Sequence, residues 1–187
     1  MRLSGDYREA GLRILYSKKE IDVRVKRLAE EISRDYSGTE LLLIVILKGA
    51  FIFAADLVRM LNLSVEVDFM KLESYNGRES SGRVNISRDL GSHAEGKHLL
   101  VVEDIIDTGI TLDFLMRHLA KKGPMSLKVC TLVDKRQRRQ TEIPVDYAGI
   151  VCESGFLVGY GLDLDERYRE FDAIYEVADL ASSGGFE

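Results

Sequence analysis

Three carboxylates are concentrated where a short apolar segment gives way to a turn containing threonine and glycine. Leu99–Val102 has the composition of a buried strand, and Glu103, Asp104 and Asp107 follow it closely. The backbone N–H groups of the Asp107–Thr111 turn, with the positive end of a following helix, can bind a phosphate. Glu103 and Asp104 suit an Mg²⁺-bound group rich in hydroxyls, such as a ribose, and Asp107 can accept or donate a proton. The pattern predicts a site for a phosphorylated sugar with magnesium.

A helix is predicted to start within the turn, because apolar side chains then recur at the spacing of one helix face: Leu112, Leu115, Met116 and Leu119. Thr108 or Thr111 is placed to cap that helix. The alternative interpretation is an ordinary strand-to-helix turn. Three carboxylates at the end of an apolar strand are unfavourable without a cation or ligand, however, so the sequence favours a binding site.

One geometric condition applies to the first two carboxylates. Adjacent residues of a strand point to opposite faces of a sheet. Glu103 and Asp104 can therefore bind the same ligand only if the strand has ended before them.

The segment Glu103–Gly109, with the sequence Glu-Asp-Ile-Ile-Asp-Thr-Gly, resembles the phosphoribosyl-diphosphate motif of type I phosphoribosyltransferases. This form of the motif is similar to that of the hypoxanthine-guanine branch of the family. The resemblance implies that Glu103 and Asp104 face the ribose and its Mg²⁺, and that Asp107 exchanges a proton with N7 of a purine. It also implies that the turn binds the 5-phosphate through Asp107, Thr108, Gly109, Ile110 and Thr111.

Two further segments are predicted to bind pyrophosphate. Lys48 and Gly49 follow the apolar run Leu41–Leu47, and glycine allows the backbone to approach an anion closely. The resemblance implies that Lys48 and Gly49 form a pyrophosphate loop, and that Arg169 binds the same group through its guanidinium. Considered alone, Lys48 would be interpreted as an exposed lysine at a plain strand-to-helix turn.

Four residues are predicted to contact a purine. Lys135 can donate a hydrogen bond to a carbonyl oxygen such as the 6-oxo group, and Phe156 can stack on a flat heterocycle. The resemblance implies that Leu157 contacts the base through its backbone, and that Asp163 holds a second Mg²⁺ near the base. The plainer alternatives are a core phenylalanine and a charged surface cluster.

Lys135 also opens a basic run with Arg136, Arg138 and Arg139. The simplest interpretation of this run is a solvated loop. A nucleic-acid site is disfavoured, because no aromatic residues are interleaved with the cations and the net charge of the chain is −5.

Ser74 and Tyr75 begin a polar, glycine-containing segment that extends to Arg83. In the family that the motifs resemble, a Ser-Tyr pair at this place lies on a mobile loop that closes over the reacting atoms. Such a lid excludes water from a reactive intermediate. An ordinary surface hairpin with a tyrosine is the alternative.

Strands and helices that would position these residues are predicted in alternation. Ser17 and Glu20 have the spacing of a capping box at a helix start. Leu41–Leu47 is typical of a central parallel strand, and the alternation within Val65–Phe69 predicts a strand with one exposed face. The remaining predicted elements are a helix at Ala50–Leu61 and strands at Leu99–Val102, Leu127–Val133 and Tyr147–Cys152.

This alternation predicts an α/β fold with a mostly parallel central sheet flanked by helices, as in type I phosphoribosyltransferases. A length of 187 residues fits a single domain. The resemblance implies a core over residues 20–150 and a small hood formed by residues 1–19 and 151–187.

The sequence predicts a cytoplasmic protein. No signal segment is visible, and the longest purely apolar run, Leu41–Leu47, is far too short to span a membrane. Cys130 and Cys152 lie in apolar segments, as expected for buried thiols in a reducing cytoplasm. The histidines have no metal-ligand spacing, so zinc is not expected.

The motifs, taken in order, predict a purine salvage enzyme. The implied reaction transfers the 5-phosphoribosyl group from 5-phosphoribosyl 1-diphosphate to hypoxanthine or guanine with Mg²⁺, and releases pyrophosphate. A homodimer or homotetramer is expected. Two alternatives stay open: a regulatory relative that binds phosphoribosyl diphosphate without turnover and controls transcription, and a transferase for another base, of which xanthine is the hardest to exclude.

Overall fold

A computed structural model describes residues 11–74, 84–153 and 155–177. Tyr75, the second predicted lid residue, lies outside these ranges, as does the C-terminal segment after residue 177. Within them the elements are β1 (Leu12–Tyr16), α1 (Lys18–Asp35), β2 (Leu41–Leu47), α2 (Phe51–Met60), β3 (Val65–Ser74), β4 (Val84–Arg88), β5 (His98–Ile106), α3 (Ile110–Ala120), β6 (Ser126–Lys135), β7 (Tyr147–Cys152), β8 (Leu157–Val158) and β9 (Ile174–Val177).

Six strands form the central sheet in the order β4-β3-β2-β5-β6-β7. All neighbours except one pair in parallel, and the exception is β4, which runs antiparallel to β3 at the edge. The predicted α/β fold with a mostly parallel sheet is confirmed. The central strand β2 has the sequence Leu-Leu-Leu-Ile-Val-Ile-Leu and is buried on both faces, because helices cover both sides of the sheet.

Helices α1 and α2 cover one face of the sheet and α3 covers the other. Ile21, Leu28 and Phe53 pack with the side chains of β2 and β5 that point to the α1/α2 face. Leu112, Leu115 and Leu119 pack against the opposite face, as their spacing predicts. The capping box at the start of α1 is also confirmed, since Ser17 accepts from the backbone of Glu20 and the Glu20 carboxylate accepts from the backbone of Ser17.

Strand β3 forms as predicted, but its two faces differ from what the apolar pattern suggests. Val67 and Phe69 are exposed, whereas Asp68 and Met70 are buried. Asp68 can be buried because its carboxylate accepts hydrogen bonds from the backbone N–H groups of Phe69, Gly91 and Ser92 at 2.7–2.8 Å. The alternation identifies a strand, but it does not identify the buried face.

A second sheet, with the order β1-β9-β8, combines strands from near both ends of the chain. It packs on the α1/α2 side, where Leu157 and Ile174 join the core. The sequence did not predict β1, β4, β8 or β9, because these strands are short and β1 pairs with a segment some 160 residues away, Leu12 with Val177. No helix in the described ranges is long and apolar enough to cross a membrane.

Candidate active site

Most residues of the predicted phosphoribosyl motif line one cavity at the carboxyl end of β5. The cavity has a volume of about 220 Å³. Its lining includes Glu103, Asp107, Thr108, Gly109 and Thr111. Ligands of open α/β sheets bind at this edge, where the strands end and the helices begin.

The side-chain alternation of β5 changes at the first two carboxylates. Val102 points to the α1/α2 face and Val101 to the α3 face. Beyond the carboxylates the order is reversed, because Ile105 contacts the α1/α2 cluster and Ile106 belongs to the α3 cluster. The pairing of β5 with β2 ends at Val102, although β5 continues to Ile106 along β6. The strand therefore does not end before the carboxylates, but its regular alternation is interrupted at them.

The side chains of Glu103 and Asp104 lie close enough to affect each other's ionisation. Burial raises the pKa of Glu103 well above its ordinary value, and the charge of Asp104 raises it further. Burial also raises the pKa of Asp104, although hydrogen bonds and the nearby Arg169 act in the opposite direction. Neither carboxylate forms an ion pair within the described part of the chain, so the pair is suited to a cation supplied from outside.

Gly49 and Gly161 allow three segments to meet at Asp104. A Cβ built on Gly49 would lie 1.9 Å from Oδ2 of Asp104, and one built on Gly161 would lie 2.1 Å from the carbonyl oxygen of Gly49. The peptide between Leu47 and Lys48 is cis. The loop after β2, the carboxylate of β5 and the segment after β8 are thus in contact.

The predicted pyrophosphate residues Lys48 and Arg169 both contact acidic side chains. Arg169 Nη2 lies 2.9 Å from Asp163 Oδ1, and its Nη1 donates to the carbonyl oxygen of Gly161 at 2.8 Å. Glu166 contacts both cations, at 3.0 Å from Lys48 Nζ and 3.1 Å from Arg169 Nη2. Nε of Arg169 is buried and forms no hydrogen bond among the described residues, so it is available as a donor.

Asp107 and Lys135 are brought together from neighbouring strands, because β5 and β6 pair in parallel as far as Ile106 and Asp134. Lys135 Nζ lies 3.5 Å from Oδ2 of Asp107, and Arg138 lies at the same distance from this oxygen. Oδ1 of Asp107 is buried and forms no hydrogen bond within the described residues. The carboxylate therefore has one oxygen facing cations and one without a partner.

The turn after Asp107 does not use a threonine cap. The N-cap of α3 is Gly109, in a left-handed conformation with φ of 82°, and no side chain caps the helix. The predicted capping by Thr108 or Thr111 was wrong. A Cβ at Gly109 would lie 2.8 Å from the carbonyl oxygen of Thr141, so glycine is required there by both conformation and space. Without a side-chain cap, the first N–H groups of α3 remain available to an anion.

Arg139 is the main residue that the sequence analysis missed. Its guanidinium pairs with the buried carboxylate of Asp134 and donates to the carbonyl oxygens of Ile106, Asp107 and Lys135. Its side chain is 13% exposed, so the interpretation as a solvated loop was wrong for this arginine, whereas Arg138 is 69% exposed. A buried aspartate at the end of β6 was the available signal, because such a carboxylate needs a cation.

Phe156 directly precedes β8, and Leu157 is the first residue of that strand. Phe156 is 38% exposed, whereas Leu157 is buried in the core. Neither forms a hydrogen bond or ion pair with the other predicted site residues in the described part of the chain, so their part in base binding stays a prediction. Ser74 is the last residue of β3, at the carboxyl end of the parallel strands, where the cavity lies.

The residues predicted to hold the two Mg²⁺ ions lie on two segments, with Glu103 and Asp104 on β5 and Asp163 after β8. Among the described residues, no group of three or more His, Cys, Asp or Glu side chains is arranged to hold a metal ion. Asp163 instead pairs with Arg169. The Glu103–Asp104 pair nevertheless fits Mg²⁺, which is usually bound by one or two carboxylates and completed by substrate oxygens and water.

Comparison with known proteins agrees with this geometry. Residues 13–165 match the family model described as the phosphoribosyl transferase domain. The chain belongs to the phosphoribosyl transferase family. It is 44% identical over 170 residues to the hypoxanthine-guanine phosphoribosyltransferase of Aquifex aeolicus, an alignment that covers 90% of this chain and 96% of the relative.

Two further members of the phosphoribosyl transferase family are similar over most of their length. The hypoxanthine-guanine-xanthine phosphoribosyltransferase of Tritrichomonas foetus is 41% identical over 87% of this chain and 89% of its own. The crystal structure of the hypoxanthine phosphoribosyltransferase of Staphylococcus aureus superposes with a TM-score of 0.90, at 35% identity, over 97% of this chain and all of that chain. The Staphylococcus aureus structure thus shares the fold over nearly the whole chain.

Proposed function

We propose that this phosphoribosyl transferase is a purine salvage enzyme that transfers the 5-phosphoribosyl group of 5-phosphoribosyl 1-diphosphate to hypoxanthine or guanine, forming IMP or GMP and pyrophosphate. The observation that supports this most directly is the 3.5 Å contact between Lys135 Nζ and Asp107 Oδ2. This contact places Lys135, the predicted donor to the 6-oxo group, beside Asp107, the predicted acid–base residue at the turn that binds the 5-phosphate. The three relatives described above are all named for hypoxanthine.

The loop after β2, the end of β5 and the segment after β8 supply the groups that bind the substrate. The uncapped start of α3 and the turn from Asp107 to Thr111 bind the 5-phosphate. Lys48, the backbone of Gly49 and Arg169 bind the pyrophosphate group, for which the free Nε of Arg169 is a further donor. Glu103 and Asp104 face the ribose hydroxyls and would hold Mg²⁺, and Asp163 would be a ligand of a second ion.

Bond cleavage leaves positive charge on the ribose ring and negative charge on the departing pyrophosphate. Lys48 and Arg169 stabilise the pyrophosphate, and bound Mg²⁺ would neutralise part of its charge. The carboxylates of Glu103 and Asp104 favour the cationic sugar. Burial of Asp104 strengthens this second effect, because the local dielectric constant is lower than that of water.

Asp107 takes the proton from N7 of the purine. Its Oδ2 lies beside Lys135 and Arg138, and its Oδ1 has no hydrogen bond among the described residues, so the carboxylate has capacity to accept a proton. Lys135 donates to the 6-oxo group, Phe156 stacks on the ring and the Leu157 backbone contacts the base. A lid that begins at Ser74 and Tyr75 excludes water during the transfer.

The regulatory alternative is less well supported. Lys135 is buried and Arg139 is mostly buried. They face Asp107 and Asp134, so two cations of the basic run are not available to a nucleic-acid backbone. We further propose that the chain acts in the cytoplasm as one domain, with the β1-β9-β8 sheet as its hood. The two free cysteines agree with a reducing compartment.

A homodimer or homotetramer is the assembly that we propose. The exposed Val67 and Phe69 on β3 are candidates for burial between subunits. Sedimentation equilibrium at several concentrations tests this, and a monomer at micromolar concentration would contradict it.

The decisive experiment compares kcat/KM for hypoxanthine, guanine, xanthine and adenine, each with and without Mg²⁺. We expect IMP and GMP to form only with Mg²⁺, and adenine to be a poor substrate because it lacks the 6-oxo acceptor for Lys135. Binding of phosphoribosyl diphosphate without any nucleotide product would instead support the regulatory alternative. Efficient turnover of xanthine would extend the substrate range without changing the reaction.

A further inference from the structure

Glu166 has a position that the proposed reaction does not use. Its two carboxylate oxygens contact the two cations assigned to pyrophosphate: Oε1 lies 3.0 Å from Lys48 Nζ and Oε2 lies 3.1 Å from Arg169 Nη2. One carboxylate thus bridges two segments that are 118 residues apart in sequence. Two oxygens of a phosphate group would make the same pair of contacts.

The backbone directs this side chain towards the cations. Asp165 and Glu166 both have left-handed conformations, with φ of 51° and 62°, which residues with a Cβ rarely adopt. The N–H of Glu166 donates to Oδ2 of Asp163 at 2.9 Å, and Leu164 and Arg167 close the turn through mutual backbone hydrogen bonds. The turn therefore holds Glu166 beside the two cations although its backbone conformation is unfavourable.

The contact between Glu166 and Lys48 is also easily exchanged. The side chain of Glu166 is 62% exposed and that of Lys48 is 54% exposed. Ion pairs between exposed groups are weak, because both partners stay hydrated when they separate. A pyrophosphate group has more charge than one carboxylate and can displace it from both cations.

We propose that Glu166 is an internal ligand that occupies Lys48 and Arg169 in the absence of substrate and is displaced by the pyrophosphate group. This inference depends on the proposed function, since it requires Lys48 and Arg169 to bind pyrophosphate. Glu166 then lowers the affinity for both 5-phosphoribosyl 1-diphosphate and the pyrophosphate product, because only molecules with Glu166 displaced can bind them. The carboxylate also returns to the cations when pyrophosphate leaves, which favours product release.

The test compares Glu166→Gln with the wild-type chain and with Asp165→Asn. Asp165 is the neighbouring exposed carboxylate, it has the same charge, and it forms no ion pair within the described ranges. Its substitution therefore controls for the general loss of one negative charge. Binding of inorganic pyrophosphate is measured by calorimetry at constant Mg²⁺, together with pyrophosphate inhibition of IMP formation.

We expect Glu166→Gln to bind pyrophosphate about fivefold to tenfold more tightly, with a similar decrease in KM for 5-phosphoribosyl 1-diphosphate. Asp165→Asn should change either value by less than about twofold. Thermal melting of both variants should match the wild type, because the substituted groups are exposed and close in shape.

Unchanged or weaker pyrophosphate binding by Glu166→Gln would overturn the inference, and so would an equal gain in Asp165→Asn. Either result leaves the proposed reaction intact if the wild-type chain still forms IMP. Failure of the wild-type chain both to bind pyrophosphate and to form nucleotide would instead refute the proposed function, and this inference with it.

Discussion

The carboxylate of Asp104 occupies the space that a side chain at residue 49 would need. Oδ2, Cγ and Oδ1 of Asp104 lie 1.9, 2.4 and 2.7 Å from the position of a Cβ on Gly49. The backbone at Gly49 does not have a positive φ, so glycine is needed there for space alone. The predicted ribose site and the predicted pyrophosphate loop are in direct contact through this pair.

Gly49→Ala should separate these two parts of the site. The methyl group has to displace the buried carboxylate of Asp104, so we expect kcat/KM to fall by about a hundredfold or more. Overpacking should also reduce the free energy of unfolding by about 1–3 kcal/mol. Steady-state kinetics and urea denaturation measure the two effects.

Gly38→Ala is the matched control for that substitution. Gly38 has a positive φ but nothing lies within 4 Å of a Cβ built on it. Its replacement should cost about 1 kcal/mol of stability through backbone strain while leaving the kinetics unchanged. A similar loss of activity in both variants would mean that the effect of Gly49→Ala is general destabilisation.

Asp107→Asn should lower turnover while leaving substrate binding largely intact. The amide keeps the shape of the side chain but is not basic enough to take the N7 proton. In the wild type, Oδ1 of Asp107 has no hydrogen bond among the described residues. General-base catalysis contributes about 10²–10⁴-fold, so kcat should fall by that factor. The Kd of 5-phosphoribosyl 1-diphosphate, measured by calorimetry, should change by less than about tenfold. Equal loss of binding and turnover would show that Asp107 is structural.

Arg139→Met should impair the site and the fold together. Its guanidinium is buried against Asp134 and connects the carbonyl groups of Ile106, Asp107 and Lys135. Removing one partner of a buried pair costs about 3–5 kcal/mol, and the freed carbonyls should let Lys135 move away from Asp107. We expect a higher KM for hypoxanthine and a lower midpoint of urea denaturation.

Arg136→Met provides the comparison for Arg139→Met. Arg136 contacts the same Asp134 carboxylate, with Nε 3.0 Å from Oδ2, but its side chain is 67% exposed. An exposed pair contributes about 0–1 kcal/mol, so this variant should keep nearly all of its stability and activity. If both arginine variants behaved alike, burial of Arg139 would not explain its effect.

The sequence predicted what depends on local pattern. Apolar runs located β2, β5, β6 and β7, and the spacing of Leu112, Leu115 and Leu119 located α3. The Glu103–Gly109 motif led to a cavity that the structure contains. Each of these features depends on residues within one segment, whose periodicity or order can be examined directly.

Features that depend on distant contacts were not predicted. The roles of Glu166 and Arg139 come from partners in other segments, such as Lys48 for Glu166 and Ile106 for Arg139. The altered alternation at Glu103 and Asp104 arises where β2 stops pairing with β5, which is not visible in β5 alone. Such features are decided by which segments pair in the fold, and the propensities of a single segment do not reveal that pairing.

Stability in acid should depend on Asp68. Burial alone would raise the pKa of this carboxyl, but hydrogen bonds from the backbone N–H groups of Phe69, Ser92 and Gly91, and from the Ser92 side chain, outweigh burial and lower it below 3.8. A group whose folded pKa is lowered stabilises the fold above its ordinary pKa, and this stabilisation is lost as the pH falls through the folded value. Asp68→Asn should therefore cost about 1–3 kcal/mol at pH 7, because an amide cannot accept the same set of bonds. The difference from the wild type should shrink below about pH 4.

Urea denaturation of wild type and Asp68→Asn at several pH values between 7 and 3 measures this dependence. Glu40→Gln is the control, because Glu40 is exposed and forms no hydrogen bond or ion pair in the described part of the chain. Its free energy of unfolding should follow that of the wild type at every pH. If the stability difference between Asp68→Asn and the wild type stayed constant with pH, the backbone N–H groups would not be stabilising the charged form of Asp68.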